Sequence, residues 1–410
     1  MTRILFVDDE PNILDGLRRM LRDMRHKWDM SFVSSGAEAL KVLAQERYDI
    51  IVSDMRMPVI DGAMLLAQVR KLYPHMARII LSGHSERKAI MQSVRLAHQY
   101  LAKPCDPDKL KRVLQQTAAM RSLLSRDNLI SMVAQIESLP PLPHAYSRLL
   151  EALDSDDSSL ESIGDLISQD MGMATTVLKL VNSAFFGLPH QVASPAQAVG
   201  LLGLDVIKGL VLSQGLFQAY DTIRVPGMSF QELWRHCLAV GGFARRIVQM
   251  EGGGKPLADG AFIAGILHDV GKLVLATVAP QEYAQVIQTV RQQGRPVSVV
   301  EREVLGATHG EAGAYLMGLW GLHEGVVGAI AAHNHPEYTA ALGGGSGRLT
   351  LAAVHAANVF EREIHVINPQ YALPKLDRGF LAEANMAAKA SAWRQACEEI
   401  STPEGAHGTD

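Results

Sequence analysis

The sequence predicts an α/β first half built on a parallel sheet and an all-α second half. Three observations carry this reading: four short apolar runs of strand type that each end at a polar station, helical spacing between those runs, and a different grammar beyond about residue 120. From there on the chain reads as amphipathic helices divided by Pro and Gly, with no further strand signal.

The strand-type runs are Ile4–Val7, Tyr48–Ser53, Ala77–Leu81 and Tyr100–Ala102. Each is followed by its station: Asp8 with Asp9, then Asp54, then Ser82, then Lys103 ahead of Pro104. Between them Leu14, Leu17 and Leu21, and later Ala63, Leu66 and Val69, recur at helical spacing. In parallel sheets flanked by helices the carboxyl ends of the strands form one rim where ligands bind, so the stations are expected to meet at one site.

Three carboxylates, a hydroxyl and a lysine at one rim suit a divalent cation and a phosphoryl group. Mg²⁺ takes oxygen ligands and is held by one or two carboxylates while keeping water and phosphate oxygens. A carboxylate can also accept phosphate as an acyl phosphate. Asp54 is the best placed, because it ends the central run and the following Met55-Arg56-Met57-Pro58 cannot continue a strand once Pro58 lacks an amide donor. Lys103 would add a fixed positive charge and Ser82 a donor to a phosphoryl oxygen. Singly, each station has a structural reading: Asp8 or Asp9 capping a helix that starts near Pro11, Ser82 in a turn, Tyr100 in the core. Their joint occurrence at four strand ends favours the chemical reading.

Val7-Asp8-Asp9-Glu10, Asp54-Met55-Arg56-Met57-Pro58-Val59-Ile60-Asp61-Gly62, Leu81-Ser82-Gly83 and Tyr100-Leu101-Ala102-Lys103-Pro104 resemble, in that order, the receiver domain of two-component response regulators, over about residues 1–120. The resemblance implies a doubly wound α/β domain with a five-stranded parallel sheet. It implies Asp54 as phosphoacceptor, Asp8, Asp9, Asp54 and the Arg56 carbonyl around Mg²⁺, Ser82 as switch hydroxyl and Tyr100 as rotating aromatic. It further implies slow self-dephosphorylation tuned by Arg56 and His84, and a cognate histidine kinase or phosphotransfer protein as donor.

At 410 residues, with 48% hydrophobic and 20% charged, the chain is long and apolar enough for two or three cored domains. A net charge of -4 gives no case for nucleic acid, and Arg18, Arg19, Arg22, Arg25 and Lys27 read as the solvated face of the first helix. Three distant cysteines, Cys105, Cys237 and Cys397, indicate neither a disulfide framework nor a zinc ribbon. No signal peptide and no apolar run of about 18 residues are seen, so a cytoplasmic location without membrane contact is expected.

A helical linker is expected over 121–135, because the pattern of the helix beginning near Asp106-Pro107-Asp108 continues with few breakers into Leu129, Ile130 and Val133. Beyond it, Leu139-Pro140-Pro141-Leu142-Pro143, Gly187-Leu188-Pro189, Val225-Pro226-Gly227 and two triple-glycine stretches punctuate the helices. Ser229 with Glu232 predicts a capping box. A histidine series then stands out: His236, His268-Asp269 with Lys272, His309, His333 and His335. Histidine and aspartate on facing helices can hold a metal whose water attacks a phosphodiester, with Lys272 one turn away for phosphate. Spacing alone equally allows packing and capping roles.

Leu139–Pro143, Asn182-Ser183-Ala184, Leu233-Trp234-Arg235-His236 and Gly265-Ile266-Leu267-His268-Asp269-Val270-Gly271-Lys272-Leu273 resemble the HDOD domain, a branch of the HD phosphohydrolase superfamily, over about 129–330. The resemblance implies a core of five to seven helices and a signalling output. The aspartate that completes the metal set in active HD enzymes corresponds to Asn358, and the Gly-Tyr-Pro signature of cyclic-di-GMP phosphodiesterases does not follow His333-Asn334-His335-Pro336-Glu337. The expectation is therefore a vestigial HD site and an output through protein contacts with an unidentified downstream protein, a homodimer being left open. The alternative is a receiver-gated, metal-dependent phosphohydrolase acting on a nucleotide or cyclic dinucleotide; a second divalent metal there is the less favoured reading. A helical extension over 331–400 and a disordered tail over 401–410 complete the expectations.

Overall fold

The computed structural model describes residues 1–83, 97–121, 159–168, 194–204, 206–207, 209–210, 225–319, 322–337, 346–365 and 372–401, together with the single positions 133, 149, 152, 177 and 192. The chain divides into two compact units, the first running from Met1 to Ser138 with Tyr315–His323 and the second holding the remainder.

In the first unit β1 (Thr2–Val7), β2 (Trp28–Val33), β3 (Ile50–Asp54), β4 (Ala77–Gly83) and β5 (Gln99–Lys103) form one parallel sheet in the order β2-β1-β3-β4-β5. Helices α1 (Pro11–Met20), α2 (Gly36–Gln45), α3 (Gly62–Leu72) and α4 (Pro107–Arg121) accompany it. Strands covered on both faces are apolar without alternation, and Ile4, Leu5, Phe6, Ile50, Ile51 and Val52 are all buried. Leu5, Val7, Ile51, Leu66, Val69 and Ile80 share one core. This is the α/β architecture expected. The four apolar runs did not include β2, because an edge strand with partly exposed positions admits Asp29 and Ser31 and so shows no continuous apolar run.

The second unit is helical among its described residues: α5 (Leu160–Ser168), α6 (Pro195–Leu202), α7 (Phe230–Met250), α8 (Lys255–Leu267), α9 (Val270–Val278), α10 (Pro280–Gln293), α11 (Val297–Leu305), the first part of α12 (His309–Leu319, whose residues from Tyr315 on belong to the first unit), α13 (Glu324–Ala332), α14 (Ser346–Ile364), α15 (Arg378–Glu383) and α16 (Ala390–Ser401). Helix α7 packs on α8 and α14, and α13 packs on α14. The α7–α8 crossing places Gly265 against Gly241, where an added β-carbon would come within 2.6 Å of backbone. Ser229 caps α7 by accepting the Glu232 amide at 3.3 Å.

By length and hydropathy Lys255–Val278 could cross a membrane, contrary to the reading that no stretch reaches that size; 78% of its best window is buried in the bundle, which identifies a core pair of helices interrupted at His268-Asp269. Trp393 of α16 is fully buried and donates to Glu251 Oε1 at 2.8 Å. The linker over 121–135 (except Arg121 and Val133), the Leu139–Pro143 opening, Asn182-Ser183-Ala184, His84 and residues 402–410 lie outside the described residues.

Candidate functional site

Asp8 stands one residue past β1, Asp54 ends β3 and Lys103 ends β5, so the parallel topology delivers all three to one rim. Asp8 and Asp54 are only 1% and 7% exposed. The Lys103 ammonium donates to Asp8 Oδ2 at 2.8 Å and also bonds Asp54 Oδ1. The remaining oxygens accept backbone amides: Asp54 Oδ2 from Arg56 at 2.9 Å, and Asp8 Oδ1 from Glu10 at 3.0 Å. Burial, with Asp8 adding to it, raises the Asp54 carboxyl above its ordinary value against the pull of Lys103. Burial would lower Lys103, but the two carboxylates raise it. Asp9 is half-buried next to Asp8, and Glu10 rather than Asp9 takes the N-cap position of α1. Ser82 and Tyr100 lie on β4 and β5, opposite Ala102 and Ile80 in register.

The second unit holds a cluster the spacing only hinted at. His236 comes from α7, His268-Asp269 from the break between α8 and α9, His309 from the start of α12, and His333 from the turn after α13. All five are buried, none more than 2% exposed. In each ring Nδ1 is engaged outward. His268 Nδ1 donates to Gly265 O at 2.6 Å and His333 Nδ1 to Ile330 O at 2.8 Å. His236 Nδ1 pairs with Glu361, and His309 Nδ1 with Glu301 Oε2 at 2.6 Å.

That leaves four Nε2 atoms facing inward on Asp269. Its Oδ2 lies 3.6 Å from both His236 and His268, while its Oδ1 lies 3.1 Å from His309 and 3.8 Å from His333. Within the pairs, His236 Nε2 and His268 Nε2 are 3.2 Å apart, and His309 Nε2 and His333 Nε2 are 3.3 Å apart. Two sets of metal-ligating geometry thus share one carboxylate. Outward Nδ1–H bonds to carbonyl or carboxylate are the arrangement that fixes a metal-ligating imidazole in its tautomer and orientation.

Burial, with Arg362 adding, pushes His236 well below its usual range; burial also lowers His268 to about 4 and His333 further. His309 is pushed down by burial but raised overall by Glu301. Burial would raise Asp269, yet Lys272, His268 and His309 hold it well below the carboxylate range. Burial raises Glu361 to about 7.

Lys272 Nζ donates to Asp269 Oδ2 at 2.5 Å, three residues along the same helical face, and Arg362 NH2 lies 3.9 Å from that oxygen. With Asn334 and Asn358 these side chains line a cavity of about 160 Å³. His335 does not join the cluster: its Nε2 meets Ser298 Oγ at 3.2 Å and its Nδ1 meets Glu337 at 3.2 Å, in the turn before Pro336. Glu301, Glu361 and Asn334 were not singled out from the sequence. For the first, the available signal was a carboxylate at helical spacing between Val297 and Leu305, since a carboxylate on an apolar helix face needs a partner.

Residues 4–115 match the response regulator receiver domain and residues 139–336 match the HDOD domain. The chain is therefore a receiver domain followed by an HDOD domain. It is 30% identical over 208 residues to an uncharacterized protein of Treponema pallidum, covering 50% of this chain and 39% of that one. It is 37% identical over 112 residues to the transcriptional regulatory protein GlrR of Escherichia coli K12, covering 27% of this chain and 25% of that one. The signal receiver domain of an HD domain-containing protein from Pseudomonas fluorescens Pf-5 is 32% identical in sequence; the match covers 28% of this chain and 92% of that one with a TM-score of 0.27. The chain thus spans well under half the length of these curated relatives.

Proposed function

We propose that this protein is a cytoplasmic phosphorelay response regulator in which Asp54 accepts a phosphoryl group from a histidine kinase or phosphotransfer protein. The supporting observation is the Lys103 ammonium shared between Asp8 and Asp54 at the strand rim. Asp54 supplies the nucleophilic oxygen: its bond to phosphorus forms as the phosphorus–nitrogen bond of the donor phosphohistidine breaks. Lys103 remains beside Asp8 to meet the charge of the new phosphoryl oxygens. Asp8, Asp9, Asp54 and the Arg56 carbonyl would hold Mg²⁺, which neutralises charge on the phosphoryl oxygens when bound. The oxygen-only donor set fits a hard cation. Ser82 and Tyr100 act as the switch pair; the phosphoryl group carries roughly 1.5 to 2 negative charges in place of the single charge of the Asp54 carboxylate, and this redistribution drives the change passed to the HDOD half. Incubation with acetyl phosphate and Mg²⁺ should add one phosphoryl group to the wild-type mass and none to Asp54→Asn; equal labelling of both ends the proposal.

For the output half the convergence of four Nε2 atoms on Asp269 favours a divalent-metal site, with phosphoester hydrolysis as its chemistry and Lys272 and Arg362 placed to bind phosphate. Imidazole and carboxylate donors suit zinc, iron or manganese. The reading of an output through protein contacts alone rests on Asn358, a neutral amide at the pocket wall, and on Lys272 already pairing with Asp269. Elemental analysis decides between them. Metal retained by the full chain and lost in His268→Ala supports the metal site; none in either supports protein contacts.

A further inference from the structure

The two halves of the imidazole cluster are alike in size but differ in what already fills them. Bonds of roughly 2.1 Å at tetrahedral angles put ligand atoms about 3.4 Å apart. The triangle of His236 Nε2, His268 Nε2 and Asp269 Oδ2 has edges of 3.2, 3.6 and 3.6 Å. That of His309 Nε2, His333 Nε2 and Asp269 Oδ1 has edges of 3.3, 3.1 and 3.8 Å. Both would close around a cation.

In the first triangle, among the described residues, the hydrogen-bond contact at both Nε2 atoms is the one between the two rings themselves. Gly265 O can only accept, so it fixes the proton of His268 on Nδ1 and leaves Nε2 bare. Glu361, as a carboxylate, does the same for His236. Two bare nitrogens at 3.2 Å repel unless a proton or a cation sits between them.

The second triangle is different, because Asn334 enters it. Its Nδ2 lies 2.9 Å from His309 Nε2 and 2.7 Å from His333 Nε2. Ile330 O fixes the His333 proton on Nδ1, so His333 Nε2 must accept and the amide must present its NH₂ side. A group with two N–H donors therefore stands where the His333 lone pair points, against His309 Nε2 as well, and a cation must displace it.

We infer that the HDOD pocket of this chain is a single-cation site, held by His236, His268 and Asp269, and that Asn334 is a plug that keeps a second divalent cation out of the His309–His333–Asp269 triangle. This rests on the metal reading proposed above. Breaking two hydrogen bonds to seat a second cation weakens that site by roughly 5- to 150-fold relative to an open one.

The test is metal stoichiometry on the full chain, by elemental analysis after dialysis and by titration with Mn²⁺ alone. One tight cation in the wild type and two in Asn334→Ala supports the plug. Two equally tight cations in the wild type overturn it while leaving the metal reading intact; none in the wild type overturns both. A single cation, or fewer, in Asn334→Ala also overturns it, because Asn334 then either does not block the seat or serves as a ligand. A second pair of variants does not depend on how Asn334→Ala folds. His333→Ala should keep the single cation and His268→Ala should lose it, whereas the reverse pattern places the cation in the triangle we infer to be plugged.

Discussion

Gly271→Ala probes the contact that aims His309. A β-carbon on Gly271, the second residue of α9, would stand 1.8 Å from the His309 carbonyl oxygen, 2.6 Å from its carbon and 2.7 Å from the Gly313 nitrogen. All three are backbone atoms, so no side chain can swing aside. Since a β-carbon does not approach other heavy atoms closer than 3.0 Å, α9 and the start of α12 must part by about 1.2 Å. That shift is large against the 2.8 Å bond from His309 N–H to Glu301 Oε2 and the 3.1 Å from its Nε2 to Asp269. Overpacking of this kind costs roughly 1 to 3 kcal/mol, which for a unit of this size lowers Tm by about 2 to 12 °C. Gly200→Ala is the control: Gly200 sits in α6 with no atom within 4 Å of the added carbon, and the exchange should stabilise by about 0.4 to 1 kcal/mol. Calorimetry of the full chain reads the stability change, and hydrogen exchange at the His309 amide reads the displacement. If Gly271→Ala melts with the wild type and its His309 amide stays protected, the close approach does not control the cluster.

Glu361→Gln should weaken the single cation by about 10- to 100-fold, because it loosens the orientation of His236, while Glu301→Gln, behind His309, should leave that cation nearly unchanged; titration with Mn²⁺ tells them apart, and equal effects would contradict the assignment of seats. Asp54→Asn should raise receiver stability. A carboxyl whose folded pKa is raised binds its proton more tightly in the native state, so stability is present below the unfolded value and is lost as pH rises through the folded one. The gain of the neutral variant should therefore grow from acidic to neutral pH in thermal melts, and a variant that melts below the wild type at neutral pH would refute the cause given for the shift. Burial pushes the Cys397 thiol up to about 12 and Cys237 well above its ordinary value, so a thiol reagent at neutral pH should reach neither before unfolding; rapid native modification of more than one cysteine would count against this burial.

The receiver rim was legible because each polar station directly follows a strand-type apolar run, and a parallel sheet brings such positions together whatever the loops do. Strand β2 was not legible in the same way, since an edge position relaxes the apolar requirement that makes β1 and β3 visible. In the HDOD half the histidine series was visible but its membership was not. His335 belongs to the same short stretch as His333 yet turns to Ser298 and Glu337, whereas Asn334 between them reaches both His309 and His333.

Sequence alone determined that two domains follow one another, and which carboxylates and lysine share the first domain's rim, because apolar periodicity dictates secondary structure and strand direction dictates where its ends lie. Only the tertiary structure decided which nitrogen of each imidazole faces Asp269. That choice belongs to the outward acceptor, which for His268 is three residues away at Gly265 and for His236 is 125 residues away at Glu361. Spacing along a helix says which residues share a face, but the atom a ring presents is set by partners that folding brings from elsewhere.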